Sequence, residues 1–296
     1  MARELKYEHV DVFTEKPLSG NQLAVFPAPG QISQVQMQAI AREMNFSETT
    51  FVFPPKAASS AARVRIFTPA EEIPFAGHPT IGTAYVLAMR TKAKKPPEKI
   101  TLELGVGAIT VDVEYRGKKI QLLTMHQPLP QFGSALQNRE QAARALGMMP
   151  EEILGGGVIS NGLDFLIIEA TGLAAVQNAH CNIEDAVKVI KRHGVHAIYL
   201  FARLAGRGPG AHARLFAPTL AVVEDPATGS AAGALGGYLA RILKFPMKLN
   251  LLIEQGIEIK RPSLMWVHVN SERGTIEEVT VSGKVVPVGQ GIVYMG

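Results

Sequence analysis

The pattern of apolar and polar positions alternates short strand-like runs with longer helical ones. Strands are predicted in the first half where short apolar runs are bounded by turn-forming residues, at 7–13, 23–26, 50–53 and 63–67. A helix is predicted from the N-cap Ser33 to about Asn45, because apolar residues recur there at three-to-four spacing. A second helix is predicted over 80–89. His78 or Pro79 opens it, since a proline in the first helical turn sacrifices no hydrogen bond.

The second half of the chain repeats this alternation. Its predicted helices cover 134–146 and 183–193, and Asn182 caps the second of them. Its predicted strands cover 164–168, 197–203, 278–281 and 285–288. A run of alanine and glycine after Gly229 predicts a further helix with little side-chain bulk, which can be packed tightly on all sides at the centre of the fold.

Two segments of the chain resemble each other. Arg65-Ile66-Phe67-Thr68-Pro69 is echoed by Arg214-Leu215-Phe216-Ala217-Pro218, and a related turn follows each of them, 78–82 in the first half and 225–229 in the second. A period near 149 residues is too long for a solenoid and predicts two copies of one α/β unit that face each other; the alternative is coincidence.

The repeat predicts two units. The first, residues 1–126, carries Glu48 and the Gly77-His78 turn, and the second, 127–280, carries the turn from Asp225 to Ser230. Residues 281–296 are predicted as closing strands, and their return to the first unit is left open.

Composition narrows the class of protein. Apolar residues make up 47% of the 296 and charged residues 19%, which is enough apolar surface for a large core. The single Cys181 excludes an intrachain disulfide, a two-thiol site and a cysteine-rich zinc site, and it fits the cytoplasm. Neither a secretory signal nor an apolar run long enough to span a membrane is recognisable.

The charge balance favours small anionic molecules over nucleic acid. The formal net charge is +4, but the one dense basic run, from Arg90 to Lys99, is broken by two prolines and lacks stacking aromatic residues. A mildly basic surface attracts small anions. We therefore expect neither a nucleic acid nor a membrane partner.

The starts of two helices are candidate anion-binding elements. The first backbone N–H groups of a helix have no intrahelical partners, and the helix dipole favours an anion there. The residues placed to supply such groups are Gly77, His78 and Thr80 in the first half and Thr228, Gly229 and Ser230 in the second. If both helix starts face one cleft, they hold a small carboxylate or phosphate; the alternative is two ordinary helix starts capped by Thr80 and Asp225.

Three side chains are candidates for proton transfer. Glu48 lies among apolar and hydroxyl residues where a helix gives way to a strand, and desolvation in an apolar cleft would raise its pKa toward about 7, as in a general acid or base. The alternative is a capping carboxylate or a partner for a lysine. Asp225 is the candidate second carboxyl, kept ionised by its helix start. His78 lies in a turn, where a pKa near neutrality suits proton transfer or hydrogen bonding, although a structural role is the alternative.

Several kinds of site are absent from the sequence. His193 and His196 have no third ligand nearby, so no metal site is predicted. The chain lacks a Gly-Lys-Ser phosphate loop, a dinucleotide fingerprint and a nucleophile elbow. No cofactor is implied.

Four segments carry a resemblance to a known family. They are Gly20-Asn21, the run from Asn45 to Thr50, Phe75-Ala76-Gly77-His78-Pro79-Thr80 and Glu224-Asp225-Pro226-Ala227-Thr228-Gly229-Ser230. Together they resemble the PhzF family of phenazine-biosynthesis-like proteins over essentially the whole chain. The resemblance implies a diaminopimelate epimerase-like α+β fold of two pseudo-symmetric halves, each a mostly antiparallel sheet or barrel around a central helix.

The resemblance also implies a function. The family's namesake is a homodimer that isomerises trans-2,3-dihydro-3-hydroxyanthranilate without a cofactor by moving a proton. By motif match Glu48 takes the place of the acid/base, and His78 and Asp225 take the places of its hydrogen-bonding and proton-handling partners. The substrate-binding positions implied are Asn21, Ser47, Gly77, Thr80, Thr228, Gly229 and Ser230.

Two other functions remain open at this point. One is an epimerase or racemase of an amino-acid-like substrate, although the epimerase relatives work with two cysteines and this chain has only Cys181. The other is a small-molecule binding protein that keeps the scaffold without chemistry. The substrate and its pathway are not marked in the sequence.

Overall fold

The computed structural model describes residues 3–91, 93, 95–204, 210–244 and 248–295. Lys92 and Lys94 of the basic run lie outside the described residues. The contacts of the chain divide it into two compact units: unit 1 comprises Met1–His126 with Ser282–Gly296, and unit 2 comprises Gln127–Val281.

Unit 1 is built from strands and two α-helices in the described part of the chain. The strands are β1 (Arg3–Val12), β2 (Asn21–Phe26), β3 (Glu48–Phe53), β4 (Ala62–Phe67), β5 (Glu72–Ile73), β6 (Lys99–Leu104), β7 (Gly107–Arg116), β8 (Lys119–His126) and, from the C-terminal segment, β18 (Val285–Met295). The helices are α1 (Gln34–Met44) and α2 (Gly77–Arg90).

The strands of unit 1 form a continuous ladder around α2. β18, β1 and β2 pair antiparallel in that order, β3 joins β2 in parallel, and β4 is antiparallel to β3. β6 then joins β4 in parallel, and β7 and β8 follow antiparallel. α2 packs against strands along this ladder and is buried along most of its length. Its Gly82 permits close packing, because a Cβ there would lie 2.6 Å from Leu23 and 2.9 Å from Val12.

The helix predicted from Ser33 to Asn45 is confirmed. Ser33 is the N-cap of α1 and forms a capping box with Gln36, and Asn45 ends the helix in the left-handed conformation with φ 52°. The apolar face of α1 buries Met37 and Ile40 in a core cluster. The C-terminal turn at Asn45 then directs the chain into β3.

Unit 2 contains the remaining described elements. Its strands are β9 (Gln131–Ala135), β10 (Ile153–Ser160), β11 (Asp164–Ala170), β12 (Ala197–Arg203), β13 (Gly210–Ala217), β14 (Val222–Asp225), β15 (Lys248–Gln255), β16 (Ser263–Glu272) and β17 (Thr275–Gly283), whose last two residues belong to unit 1. Its helices are α3 (Arg139–Leu146), α4 (Leu173–Asn178), α5 (Ile183–His193) and α6 (Gly229–Ile242), with short 3₁₀ turns at Pro150–Glu152 and Pro218–Leu220.

Unit 2 repeats the pairing pattern of unit 1. β11 and β12 are parallel, β12 and β13 antiparallel, β13 and β15 parallel, and β15 and β16 antiparallel. The same alternation runs from β2 to β7 in unit 1. α6 takes the place of α2, and its glycines again allow close packing: a Cβ on Gly236 would lie 2.7 Å from Val267, and one on Gly237 would lie 2.7 Å from Pro130.

The repeated Arg-X-Phe segments carry the same contacts in both units. The Arg65 guanidinium bonds the Glu72 carboxylate and lies 5.2 Å from the ring centroid of Phe67. Arg214 bonds Glu224 with its Nε and Nη2 atoms at 2.8 and 2.7 Å, and it lies 5.1 Å from the ring centroid of Phe216. The sequence echo thus corresponds to a repeated ion pair and cation–π contact.

One predicted helix is wrong at its N-terminal end. Ser134 and Ala135 were assigned to a helix over 134–146, but they end strand β9, and α3 begins at Arg139. The side chain of Asn138 accepts a hydrogen bond from the Gln141 N–H and so caps the helix at this point. Within the described residues, no helix combines the length and the apolar character that crossing a membrane requires.

Candidate active site

His78 occupies the first turn of α2 in unit 1. The helix begins without a side-chain cap at Ala76, and the His78 ring is buried, with 2% of the residue exposed. The ring Nδ1 lies 3.0 Å from Nδ2 of Asn21, which is the fully buried first residue of β2. The amide of Asn21 therefore fixes the orientation of the ring.

Glu48 reaches the other nitrogen of the same ring. Its Oε2 lies 3.3 Å from Nε2 of His78, and only 13% of the Glu48 side chain is exposed. Glu48 is the first residue of β3 and is paired with Leu23 of β2 in the parallel ladder. The turn after α1 and this register together bring the carboxyl to the start of α2.

Burial sets the charge of His78. Desolvation lowers the pKa of its ring to about 3, against the opposing effect of a hydrogen bond with the backbone of Gln22. The ring is therefore neutral near pH 7, which differs from the near-neutral pKa expected from the sequence. Nδ1 of the ring faces the Asn21 amide, and Nε2 is the ring nitrogen that faces Glu48. The contact thus joins a neutral imidazole to a carboxyl group and is not an ion pair.

Three further predicted residues of unit 1 flank this contact. Gly77 begins α2 and is buried. The buried Thr80 hydroxyl donates to the Ala76 carbonyl at 2.6 Å, so its hydrogen goes to a backbone oxygen and Thr80 does not cap the helix N–H groups as the alternative interpretation had it. Ser47 is half-buried in the bend immediately before Glu48.

Asp225 lies at the corresponding helix start of unit 2. It is the last residue of β14 and is 5% exposed, and its Oδ2 accepts a hydrogen bond from the Thr228 hydroxyl. Gln255, at the end of β15, holds the turn through its amide: Nε2 donates to the Asp225 carbonyl at 2.8 Å, and Oε1 accepts from the Thr228 N–H at 3.3 Å. The Tyr199 hydroxyl also donates to Gln255 Oε1, at 3.2 Å.

Two further amides hold the first residues of α6. Gln127 donates through Nε2 to the Gly229 carbonyl at 2.8 Å, and Asn161 donates through Nδ2 to the Ser230 carbonyl at 2.7 Å. Asn161 also donates to Gln127 Oε1 at 2.7 Å, so the two side chains act as one support. Gly233 leaves the space they need, because a Cβ there would lie 1.9 Å from Gln127 Oε1.

The candidate residues therefore form two groups. Asn21, Ser47, Glu48, Gly77, His78 and Thr80 lie in unit 1, where Asn21, Glu48 and His78 meet. Asp225, Thr228, Gly229 and Ser230 lie in unit 2 at the start of α6. Sequence reasoning missed the supporting amides of Gln127, Asn161 and Gln255, which no local motif marks.

Comparison with known proteins confirms the family that the sequence motifs resemble. The model of the PhzC-PhzF family, described as phenazine biosynthesis-like protein, matches residues 10–291. The chain belongs to this family. A curated member from Pseudomonas chlororaphis, named trans-2,3-dihydro-3-hydroxyanthranilate isomerase, is 37% identical over 289 residues, which cover 98% of this chain and 99% of that protein.

Solved structures confirm the predicted fold class. A crystal structure of a PhzF family protein from Bacillus anthracis matches with a TM-score of 0.86 at 27% identity and covers 98% of this chain and 99% of that one. A hydroxyproline epimerase from Agrobacterium vitis shares the fold with a TM-score of 0.71 at 11% identity, over 99% of this chain and 93% of that one. The fold is the α+β type that PhzF proteins share with this epimerase.

The full-length isomerase relatives also confirm the prediction of an enzyme of the isomerase class.

Proposed function

We propose that this PhzF family member is a cofactor-independent isomerase that moves a proton along a small carboxylate-bearing substrate similar to trans-2,3-dihydro-3-hydroxyanthranilate. The substrate class is taken from the names of the full-length relatives. The reaction type is taken from the family resemblance and from the carboxyl of Glu48.

The observation that carries the proposal is the contact between Glu48 and the neutral His78. A base that abstracts a proton from carbon must be held in one orientation and kept from a permanent ion pair. The contact at 3.3 Å gives Glu48 a neighbour, and the low pKa of His78 leaves that neighbour uncharged at neutral pH. Glu48 can therefore exchange a proton with substrate without first breaking a salt bridge to this ring.

The proposed reaction has two proton transfers. Glu48 as carboxylate removes a proton from a carbon made acidic by an adjacent unsaturated system, and the electron pair delocalises into that system. Glu48 as carboxylic acid then returns the proton to a different carbon on the same face. Acid/base catalysis of this kind supplies typically about 10² to 10⁴ in rate, and orientation and charge stabilisation must supply the rest.

The helix starts are the proposed anion-binding elements. Gly77 and Thr80 belong to the first turn of α2, and Thr228, Gly229 and Ser230 belong to the start of α6. Backbone N–H groups there and the helix dipole favour a carboxylate or a delocalised anion. Asp225, held by Thr228 and Gln255, is proposed as the second proton-handling carboxyl. Homodimerisation and a cytoplasmic location remain predictions from the resemblance and from the single cysteine.

Deuterium exchange tests the proposal. The enzyme is incubated in heavy water with trans-2,3-dihydro-3-hydroxyanthranilate and with related unsaturated amino or hydroxy carboxylates, and products are followed by proton NMR. Isomerisation supports the proposal, with deuterium at the new carbon position to the extent that the proton on Glu48 exchanges with solvent before it is returned. Saturable binding of these compounds with neither isomerisation nor exchange would identify a binding protein and contradict it.

A further inference from the structure

A cavity of about 770 Å³ lies in unit 2 at the C-terminal end of α6. Its walls come from the segment that leads into β9, from the last turns of α6 and from the hairpin between β16 and β17. Sites for small molecules commonly measure about 300 to 1,000 Å³. The cavity is thus large enough for a molecule with a ring.

The charges that line this cavity have one sign. Arg241, Lys244 and Arg273 contribute side chains to its walls, and the described residues of the lining include no aspartate or glutamate. Among the described residues, none of these three cations has a carboxylate oxygen within ion-pair distance. The helix dipole accounts for Arg241 on the last turn of α6 and for Lys244 just beyond it, but it does not explain Arg273, which belongs to the hairpin.

The Arg241 side chain packs on an aromatic ring of the cavity wall. The Arg241 guanidinium carbon lies 4.4 Å from the ring centroid of Phe132. A guanidinium stacked on a ring keeps its N–H edge available for a carboxylate or phosphate. One turn earlier, Gly237 packs against Pro130, where a Cβ would lie 2.7 Å from the proline ring. α6 and the segment that leads into β9 are therefore in close contact one turn before Arg241.

Apart from Ser271 and Thr275, the remaining wall of the cavity is apolar. Leu129, Pro130, Phe132 and Ile276 line it, and Leu129 is 48% exposed. An apolar surface beside unneutralised cations suits a ligand that carries both an anionic group and an apolar body.

Unit 1 provides an internal comparison. At the end of α2, the equivalent helix, Arg90 pairs with Glu8 of β1 through Nη1 and Oε1 at 2.9 Å. In the first copy of the fold, the arginine on the last turn of the helix is thus paired with a carboxylate of its own unit. The second copy carries three cations at this end and supplies no carboxylate from the described residues.

From this difference we propose that the cavity binds a small organic anion, in which a carboxylate or phosphate is joined to a ring or short apolar chain. The anionic group lies between Arg241, Lys244 and Arg273, and the apolar body contacts Phe132 and Ile276. The site is distinct from the Asp225 turn, because Gly229 and Arg241 are separated by about 18 Å along the helix axis at 1.5 Å per residue.

Methyl NMR of Ile276 tests the proposal locally. The isoleucine δ1 methyl groups are labelled with ¹³C, and the Ile276 signal is assigned from its loss in Ile276→Val. Benzoate and phenyl phosphate are the probes, and benzamide is the neutral control of the same shape as benzoate. We expect a saturable shift of the Ile276 signal with at least one anion, a weaker effect at high salt and no saturable shift with benzamide.

Charge-removing variants decide whether the cations carry the binding. Arg241→Gln and Arg273→Gln should each weaken binding of the anion about tenfold, since a charge-assisted hydrogen bond is lost. Lys191→Gln removes an exposed charge that does not line the cavity and should leave binding unchanged. If Arg241→Gln alters the fold, the affinity of Arg273→Gln for the anion, measured alone, decides whether the cations carry the binding. No saturable shift with either anion, equal binding of benzamide, or unchanged affinity in Arg273→Gln would overturn the proposal.

Discussion

Oε2 of Glu48 lies 3.3 Å from Nε2 of His78, although the two residues belong to different elements of unit 1. The parallel register of β2 and β3 positions Glu48, and the first turn of α2 positions His78. Asn21 holds the opposite ring nitrogen at 3.0 Å. The carboxyl of Glu48 therefore faces a neutral ring whose orientation is already fixed. The role of Glu48 in catalysis and the effect of His78 on the pH dependence of stability can both be tested.

Replacement of Glu48 by glutamine should abolish turnover and leave the fold intact. The amide has nearly the same shape but cannot accept and return a proton, so we expect kcat to fall by at least about 10²-fold, the lower end of what acid/base catalysis supplies. Turnover is measured with the substrate identified by deuterium exchange, and binding is measured by calorimetry, where Glu48→Gln should retain affinity within a few-fold.

Glu43→Gln is the matched control for this experiment. Glu43 is an exposed acid near the end of α1, five residues before Glu48, and it should tolerate the same change with full activity. Full activity in Glu48→Gln would remove this carboxyl from the mechanism.

The buried neutral ring of His78 should make the protein less stable in acid. Its folded pKa of about 3 lies below the usual histidine value of 6.5, so between these values the unfolded state binds more protons and stability rises with pH. The effect of His78 on the free energy of unfolding is at most about 1.4 kcal/mol per pH unit in that window. The pH dependence levels off above about pH 6.5. His78→Asn lacks this titration, and its free energy of unfolding should rise less steeply with pH.

Urea unfolding at a series of pH values measures this difference in slope. His268→Asn is the control, because His268 is a half-buried histidine on β16 whose ring contacts Asn250 at 2.6 Å, away from the candidate site. The slope, rather than the absolute stability, is diagnostic, since the asparagine also alters packing. Parallel curves for wild type and His78→Asn between pH 4 and 6 would contradict a ring that stays neutral when folded.

The sequence predicted well those elements that local rules determine. α1 and α5 follow from periodicity and from the caps Ser33, Asn45 and Asn182, and the observed bounds of α5 and β12 match the predicted ones. The error at Ser134 arose because a short polar segment has no periodicity of its own and its strand depends on pairing with β10. Local propensity decides a helix cap, whereas pairing with a distant strand decides β9.

The candidate site was predictable only in part, for a similar reason. Motifs marked Glu48, His78 and Asp225, but the low pKa of His78 depends on how completely tertiary packing buries the ring. The amides of Gln127 and Gln255 reach across 102 and 30 residues of sequence to the Gly229 and Asp225 carbonyls. A buried glutamine has no sequence signature, because the same residue type is usually exposed.

His212 should show the opposite pH dependence from His78. Burial lowers the pKa of its ring, but hydrogen bonds and charges from Glu258 and Glu254 more than offset this effect, and the folded pKa is raised. The ring nitrogens lie 2.8 Å from Glu258 and 3.1 Å from Glu254. The stabilisation is therefore complete below the unfolded pKa and is lost as the pH rises through the folded value.

His212→Gln should accordingly destabilise the protein most at slightly acid pH. We expect a loss of about 3 kcal/mol near pH 6, because two partly buried carboxylates lose their cation, and a smaller loss at alkaline pH. Urea unfolding from pH 6 to 9 measures the difference between wild type and variant. A difference that does not change with pH would show that the ring is not charged in the folded protein.

Gly233→Ala should disturb the start of α6 from one turn away. The added methyl would lie 1.9 Å from Gln127 Oε1, so Gln127 must move from its hydrogen bond with the Gly229 carbonyl. We expect a loss of about 2 kcal/mol in the free energy of unfolding from overpacking, together with reduced turnover. Gly155→Ala is the control, because a Cβ there meets no atom within 4 Å.

A double-mutant cycle identifies Gln127 as the group that the methyl displaces. If the clash with Gln127 causes the loss, Gln127→Ala should remove it, and Gly233→Ala should cost less in that background than in the wild type. Equal costs in both backgrounds would place the strain elsewhere in the packing of α6. Stability of Gly233→Ala equal to that of the wild type would show that Gln127 has another rotamer that still supports Gly229.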